Sequence, residues 1–469
     1  MRGSVGQMKV TFGSCALAIL VAGCATPGPA SLPTDTPPAF EEQQSAGAPS
    51  WPEKDWYRGF ASEELNGLVA IAEQNNLDLA AAAARIRQAD ARARAAGAAI
   101  LPQVDATANA THFSGGSNGQ TAKETDWSAL LSASYEIDFW GKNRATSESA
   151  RQSALASEAE RDTLALTTLT GVANGYFQVL SLRERLAIAR ANLDSTREVL
   201  QVIEVRYNAG ATTVAELATQ RAAVANAELT IAPLEQQEVE ARAALALLVG
   251  HTPEGFSVTA QHLDALSEPA VAPGLPAELL RRRPDVLAAE TSLQAAHADL
   301  AAARAAMFPS LSLTGSGGAQ NPAVQAAVIT LEGSGYTLSL GASLVQTIFD
   351  GGRRRAARDE AQAKEEELLA NYRAAILSAL SDVEIALAAI RHLDMQRAAQ
   401  TENVAQSERA FEGARLRYRA GAGDYLSMLD AQRTLYAARD QSSQYKLARL
   451  QAAVGLFKAL GGGWQQPST

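Results

Sequence analysis

The chain has only two cysteines, Cys15 and Cys24, in 469 residues. That number supports neither a disulfide framework nor a cysteine metal site. Histidine is also scarce. The five histidines (112, 251, 262, 297 and 392) are scattered, with no HxH or HxxxH spacing. No P-loop, dinucleotide-binding glycine pattern or nucleophile elbow is present, so neither enzymatic chemistry nor a nucleotide cofactor is expected. Gly315-Ser-Gly-Gly and Gly461-Gly-Gly read as loop glycines. Aromatic residues make up 6 % of the chain. No apolar run reaches the roughly 18 residues that a membrane-spanning helix needs, and mean hydropathy is −0.10. Cationic charge is in deficit: 41 Lys and Arg against 51 Asp and Glu give a net charge of −10. An acidic chain without a concentrated basic patch is a poor nucleic-acid binder. Arg281–Arg283 and Arg353–Arg355 each follow a turn and open a helix, so solvated or interface roles are expected for them.

The N-terminus carries an export signal. Arg2 and Lys9 precede a short apolar core, Phe12 to Val21, and then Leu20-Val-Ala-Gly-Cys24. This last stretch resembles the bacterial lipobox. The resemblance implies a signal peptide over 1–23, removed before Cys24, which would carry covalent lipid. Ala25 is not aspartate, which in that resemblance favours the outer membrane. Residues 24–50, rich in Pro, Ser, Ala and Thr, read as an extended tether.

The rest of the chain is one unit written twice. Asp78 stands 24 positions before Pro102, and Asp285 stands 24 before Pro309, with an Ala-rich helical run in each interval. Phe139-Trp-Gly-Lys answers Phe349-Asp-Gly-Gly. Arg206-Tyr-Asn-Ala-Gly210 answers Arg417-Tyr-Arg-Ala-Gly421, 211 positions on. Such a repeat is the first organisation to seek in a long chain. Each half reads helix, strand, strand, long helix, turn, helix.

The strands alternate. In 127–139, Trp127, Ala129, Leu131, Ala133, Tyr135, Ile137 and Phe139 share one face. Ser128, Ser132, Ser134, Glu136 and Asp138 share the other, and Leu130 breaks the pattern. In 336–344, Tyr336, Leu338, Leu340, Ala342 and Leu344 face one way, and Thr337, Ser339, Gly341 and Ser343 the other. Weaker alternation at about 103–113 and 309–319 completes four strands, with 114–125 and 320–335 as polar connections. Strands of this length with one apolar face match a membrane β-barrel, with Trp127, Tyr135, Phe139, Trp140 and Tyr336 placed for its aromatic girdles. Four strands do not close a barrel, and open edges are not tolerated in lipid, so several copies must share one.

The helices are long. Lys142 to Tyr207 has no proline and, at 1.5 Å per residue, extends about 100 Å. Val172, Val179, Leu186, Leu193, Leu200 and Tyr207 recur every seven residues, with Gly175, Leu182, Ala189, Thr196 and Ile203 three later. This is a heptad seam. Leu369, Ile376, Val383 and Ile390 repeat it in a second long helix over about 352–418. Shorter helices at 78–100 and 213–249, and at 285–306 and 425–460, nearly add up to the long ones, so two end to end fit alongside one. Gly210 and Gly421 stop the long helices and reverse the chain.

These residues resemble the TolC/OprM outer-membrane efflux family over about 51–464. Gly274-Leu-Pro-Ala-Glu-Leu-Leu-Arg-Arg-Arg-Pro-Asp285 carries the resemblance, together with Tyr135-Glu-Ile-Asp-Phe-Trp-Gly-Lys142, the Arg417–Gln432 stretch and Ala459-Leu-Gly-Gly-Gly-Trp464. The resemblance implies a mainly α chain with a transmembrane β-barrel, trimeric, with twelve strands in the outer membrane of a Gram-negative cell and a twelve-helix tunnel in the periplasm. The first repeat would be 51–249 (strands about 103–138, tip about 207–213). The connecting, equatorial segment would be 250–282. The second repeat would be 283–469 (strands about 309–348, tip about 418–425), with an equatorial tail. The implied partners are two further copies, outer-membrane lipid, a periplasmic adaptor protein and an inner-membrane RND pump. The tips Ala209, Gly210, Ala211 and Thr212, and Ala420, Gly421, Ala422 and Gly423, would dock the adaptor. Leu426 and Asp430, four apart on one helix face, would narrow the exit as a gate. From the residues alone, Leu426 as core and Asp430 as a solvated charge is the competing reading. An arginine that helps lock the gate in the TolC type is here Gly423, and a first gate aspartate is Ser427, which puts that lock in doubt. The implied function is a passive exit duct for drugs or other small toxic solutes, acidic and cation-preferring. The alternatives are a type I protein-secretion duct, or a structural coiled-coil lipoprotein without a pore.

Overall fold

A computed structural model of the chain describes residues 39–41, 51–117, 120–269, 276–320 and 336–464. Of two units, Met1–Thr34 lies outside the described residues and Asp35–Thr469 carries everything below. The signal peptide and Cys24 therefore fall outside the described residues.

A 3-10 turn, Trp56–Phe60, leads into α1 (Glu63–Asn75) and α2 (Leu77–Ala98). Strands β1 (Gln103–Ser117) and β2 (Gln120–Ile137) precede the long α3 (Lys142–Asn208). The chain returns through α4 (Val214–Leu229) and α5 (Ile231–Leu248). A short turn, Leu263–Ala265, and the four-residue α6 (Pro276–Leu279) lead to the second unit. There α7 (Pro284–Ala305), β3 (Ser310–Gln320), β4 (Tyr336–Val345), α8 (Arg353–Arg419) and α9 (Tyr425–Ala459) repeat the order. Two expectations need correction. The first hairpin is longer than the alternation suggested, because much of 114–125 is ladder and not loop. The return helix expected over 213–249 is broken at Thr230, just before Pro233, which has no N–H for a helix ladder.

The strands form one antiparallel sheet in the order β1-β2-β3-β4, so β2 and β3 join the two repeats. The register places Val104 opposite Ala133, Ala133 opposite Gly315 and Gly315 opposite Leu340, and it places Ala106, Leu131, Gly317 and Leu338 in the next such row. Asp105, Ser132, Ser316 and Ser339 form a row on the opposite face, where the Ser316 and Ser339 hydroxyls lie 2.7 Å apart. The apolar face is left uncovered: Leu131 is 59 % and Leu340 84 % exposed. That is inside out for a soluble sheet and right side out for a lipid-facing one. The ten residues of β4 extend about 33 Å, and a barrel tilt of 35–45° makes that about 25 Å, the height of a membrane barrel's apolar band. An exposed belt marks the helix side of the sheet: Phe139, Trp140, Phe308, Ile348 and Phe349, with Trp140 stacked on Phe308 at 4.6 Å. Trp127 is exposed as a girdle residue would be, while the side chain of Tyr336 lies outside the described residues.

Each long helix starts at a glycine in the left-handed region, Gly141 (φ 81°) or Gly352 (φ 90°). The Asp138 carboxylate accepts the N–H groups of Asn143 and Arg144, and Asp350 accepts those of Gly352 and Arg354. Shorter helices flank the long ones: α2, α4 and α5 lie along α3, and α7 and α9 along α8, with α7 and α9 also meeting α3. The seam is buried at Val172, Val179, Leu182, Leu193, Thr196 and Ile203, but its last member, Tyr207, is exposed beside the turn.

Three stretches distant in sequence meet at mid-length of α3. Trp56 and Phe60 pack with Phe177, Val258 and Phe457, and Trp56 stacks on Phe457 at 5.1 Å. Glu64 accepts the Thr259 and Ala260 N–H groups at 2.5 and 3.0 Å, and the Tyr176 hydroxyl donates to it at 3.1 Å. Arg183 donates to the Val258 and Ala260 carbonyls and pairs with Glu238. Three expectations are corrected here. Arg283 is neither solvated nor free: it is buried, pairs with Asp285 and Asp382, and donates to the Ala459 carbonyl. Arg354 ties the Ala306 carbonyl to Thr347. Of the tether, the described residues 39–41 are docked: Phe40 is buried with Ile376 and Val383, and the Glu41 N–H donates to Glu384.

Candidate functional site

The two helix reversals are built alike. At the first, the Gly210 N–H reaches the Tyr207 carbonyl at 2.9 Å and the Ala211 N–H reaches the Arg206 carbonyl at 2.8 Å. At the second, Gly421 bonds Tyr418 at 3.0 Å and Ala422 bonds Arg417 at 2.9 Å. This double closure needs a left-handed residue at its centre, supplied by Gly210 (φ 71°) and Gly421 (φ 73°). The return helices are then capped. The Thr213 hydroxyl accepts the Glu216 N–H, and the Asp424 carboxylate accepts the Ser427 N–H at 2.8 Å. Ser427 also donates its hydroxyl to Asp424 at 2.6 Å, and these two bonds hold the Asp424 carboxyl below its usual range. Ser427 thus serves the cap. Gly423 has a local reason as well: a Cβ there would sit 3.0 Å from the Arg417 Cβ.

The tips lie side by side. The Arg206 guanidinium stacks over the Tyr418 ring at 4.8 Å and donates to its carbonyl at 3.5 Å. Ala209–Ala211 and Ala420–Ala422 are exposed, while Thr212, which bonds Glu216, and Gly423 are half-buried. On α9, Tyr425, Met428 and Leu429 are buried with Ile203, Leu217 and Phe411. Leu426 is 66 % exposed, and Asp430 one turn on is exposed too. Leu426 is therefore not core within the protomer; both residues look away from its packing.

Beneath the tips lies a buried polar group that sequence reasoning missed. It joins Tyr425 and Gln432 of α9 to Gln220 of α4 and to Asn192 and Thr196 of α3. The available signal was a glutamine about two turns into each return helix, on an otherwise apolar face. The heptad spacing by itself marks Thr196 only as a packing residue. Among the described residues, no three His, Cys, Asp or Glu gather as a metal site, and no helix is long and apolar enough to cross a membrane.

Comparison with known proteins agrees with this architecture. The model of the outer membrane efflux protein family matches residues 68–251 and 275–462. The pyoverdine export outer membrane protein OpmQ of Pseudomonas aeruginosa is 46 % identical over 421 residues, 88 % of each chain. Its namesake in Pseudomonas putida is 42 % identical over 464 residues, 96 % of this chain and 97 % of that one. Among solved structures, the outer-membrane channel OprN superposes with a TM-score of 0.85 at 29 % identity, covering 94 % of this chain and all of that one. The fold is that of these channels, a trimeric β-barrel continued by an α-helical tunnel. The chain belongs to the outer membrane efflux protein family and is an outer-membrane efflux channel.

Proposed function

We propose that three copies form a passive, non-catalytic exit duct, lipid-anchored through Cys24. The duct docks a periplasmic adaptor at Ala209–Thr212 and Ala420–Gly423, and through it an RND pump that supplies the energy. The observation that carries this is the sheet: one apolar face continuous over four strands, with unpaired edges at β1 and β4. Such edges are stable in lipid only when each β4 meets the β1 of another copy. A structural lipoprotein without a pore has no use for that sheet. The cargo is a small solute. Relatives named for pyoverdine export favour a compound of that kind over a secreted protein. The exit is narrowed by Leu426 and Asp430, whose exposure within one protomer leaves them free to face their counterparts in the other two.

Single-channel conductance of full-length trimers in planar bilayers tests this. A small wild-type conductance that rises several-fold in Leu426→Ala/Asp430→Ala is expected. An unchanged conductance would move the gate away from the second hairpin, and the absence of any conductance from inserted trimers would sink the duct.

A further inference from the structure

The first return helix is broken and the second is not. α4 ends at Leu229 and α5 starts at Ile231, whereas α9 is continuous from Tyr425 to Ala459. Pro233 has no N–H for the Leu229 carbonyl four residues back. Beside the break lies a recess of about 550 Å³ between α3, α4, α5 and α9. Ile188, Leu229, Pro233 and Leu234 form its apolar wall, and Leu229 is 71 % exposed there. Arg185, Asp440 and Arg433 form its charged side. Arg185 grips Asp440 through two nitrogens at 2.7 and 3.3 Å, and Gln444 donates to the same carboxylate at 2.7 Å. Arg433 is exposed, and no carboxylate pairs with it among the described residues. Arg185 and Asp440 cancel, so the recess is left cationic in a chain of net charge −10. Leu426, Asp430, Arg433, Ala437 and Asp440 follow at intervals of four and three, so the recess shares one face of α9 with the gate residues. On α3, Arg183 holds the Val258 and Ala260 carbonyls of the connecting segment, and Arg185 lies about 200° round the helix from it. The recess therefore opens on the gate side of the protomer, away from that segment. Along α9, Arg433 lies about 5 Å and Asp440 about 15 Å beyond Asp430, away from the tips.

We infer that this recess holds a solute in passage: a small molecule with a flat apolar body and one carboxylate or sulfonate. The body lies against Ile188, Leu229 and Pro233, and the anion pairs with the Arg433 guanidinium. The volume and the mix of apolar wall and few polar groups are those of a small-molecule site. A chain of this charge repels an anionic solute; the recess gives it one favourable stop just beyond the gate. The inference rests on the exit-duct reading and on Leu426 and Asp430 facing the lumen.

The experiment uses full-length trimers in nanodiscs, with naphthalene-2-sulfonate as the probe and empty nanodiscs as the blank. Titration calorimetry is expected to show one site per chain. The sulfonate is expected to bind Arg433→Gln about tenfold more weakly, and the wild type is expected to bind the naphthalene-2-methylammonium cation, the same body with opposite charge, as weakly. Ala189→Trp, which fills the recess from α3, is expected to abolish binding. Leu229→Glu changes an exposed side chain, so it is expected to leave the trimer assembled and to weaken binding by a similar factor. Equal affinity of wild type and Arg433→Gln, or of sulfonate and ammonium, would overturn the site. In bilayers, the sulfonate is expected to interrupt the current of Leu426→Ala/Asp430→Ala, with shorter interruptions once Arg433→Gln is added. Interruptions of equal length in both would overturn the luminal position of the site. If the trimers conduct but do not bind the sulfonate, the inference falls and the duct reading stands. If Arg433 binds the sulfonate while Leu426→Ala/Asp430→Ala stays silent, the site stands and the gate reading falls.

Discussion

Glu64 shows how single residues hold this long molecule together. Burial alone would raise its carboxyl, yet the N–H groups of Thr259 and Ala260, with the Thr259 and Tyr176 hydroxyls, hold it below the ordinary glutamate range. A carboxyl lowered by folding contributes stability that is present above the unfolded value and lost as pH falls through the folded one. The segment around Thr259 is therefore expected to loosen from α1 and α3 on acidification below the ordinary glutamate range. Thermal unfolding across that range checks this: Glu64→Gln should be less stable than wild type at neutral pH and should lose less on acidification. Equal slopes for the two would remove Glu64 from the account. Its partners sit 112 to 196 positions away, and nothing in the local sequence announced them.

Glycines at the end of α9 decide how an element closes. Gly461, Gly462 and Gly463 all have positive φ, and a Cβ on Gly461 would lie 1.9 Å from the Arg282 carbonyl oxygen. A Cβ on Gly463 would lie 2.1 Å from the Glu53 carbonyl carbon. Read as loop glycines in the sequence, they are the close approach that lets Trp464 donate to Asp162 at 2.8 Å. Gly461→Ala combines a left-handed strain with a backbone clash and is expected to cost roughly 3 kcal/mol or more, seen as a lower Tm of the trimer. A Tm within two degrees of wild type would contradict it. The strands make the opposite case. Their one-residue alternation was legible, because a period of two reports directly which face each side chain takes. Leu340→Lys is expected to cost about 2–4 kcal/mol at the apolar face and to lower the yield of inserted trimer. Ser339→Lys, on the opposite face, is expected to assemble and to weaken cation preference in bilayer recordings. Equal assembly of the two would mean that the faces are not lipid and lumen.

At the level of the whole molecule, the described residues of one chain contribute four strands and two helical hairpins, and neither is complete alone. The unpaired edges of β1 and β4 demand neighbours, and a trimer divides a twelve-stranded barrel evenly. The apolar side chains that a monomer leaves in water on the sheet, Leu131, Leu338 and Leu340 among them, are the surface the bilayer covers. The long helices extend the same ring about 100 Å away from the membrane.

The repeat, the four strands, the two long helices and the paired glycine stops could be read without any tertiary information. Each is a periodic or local signal: seven, two, or one residue that must adopt positive φ. The direction of Leu426, the burial of Arg283, the docking of Phe40 and the polar group around Thr196 could not be read that way. Each depends on which residues, tens to hundreds of positions apart, reach the same few ångströms. Periodicity marks a face of a helix; only the packing of that face decides whether a glutamine on it meets water or a tyrosine.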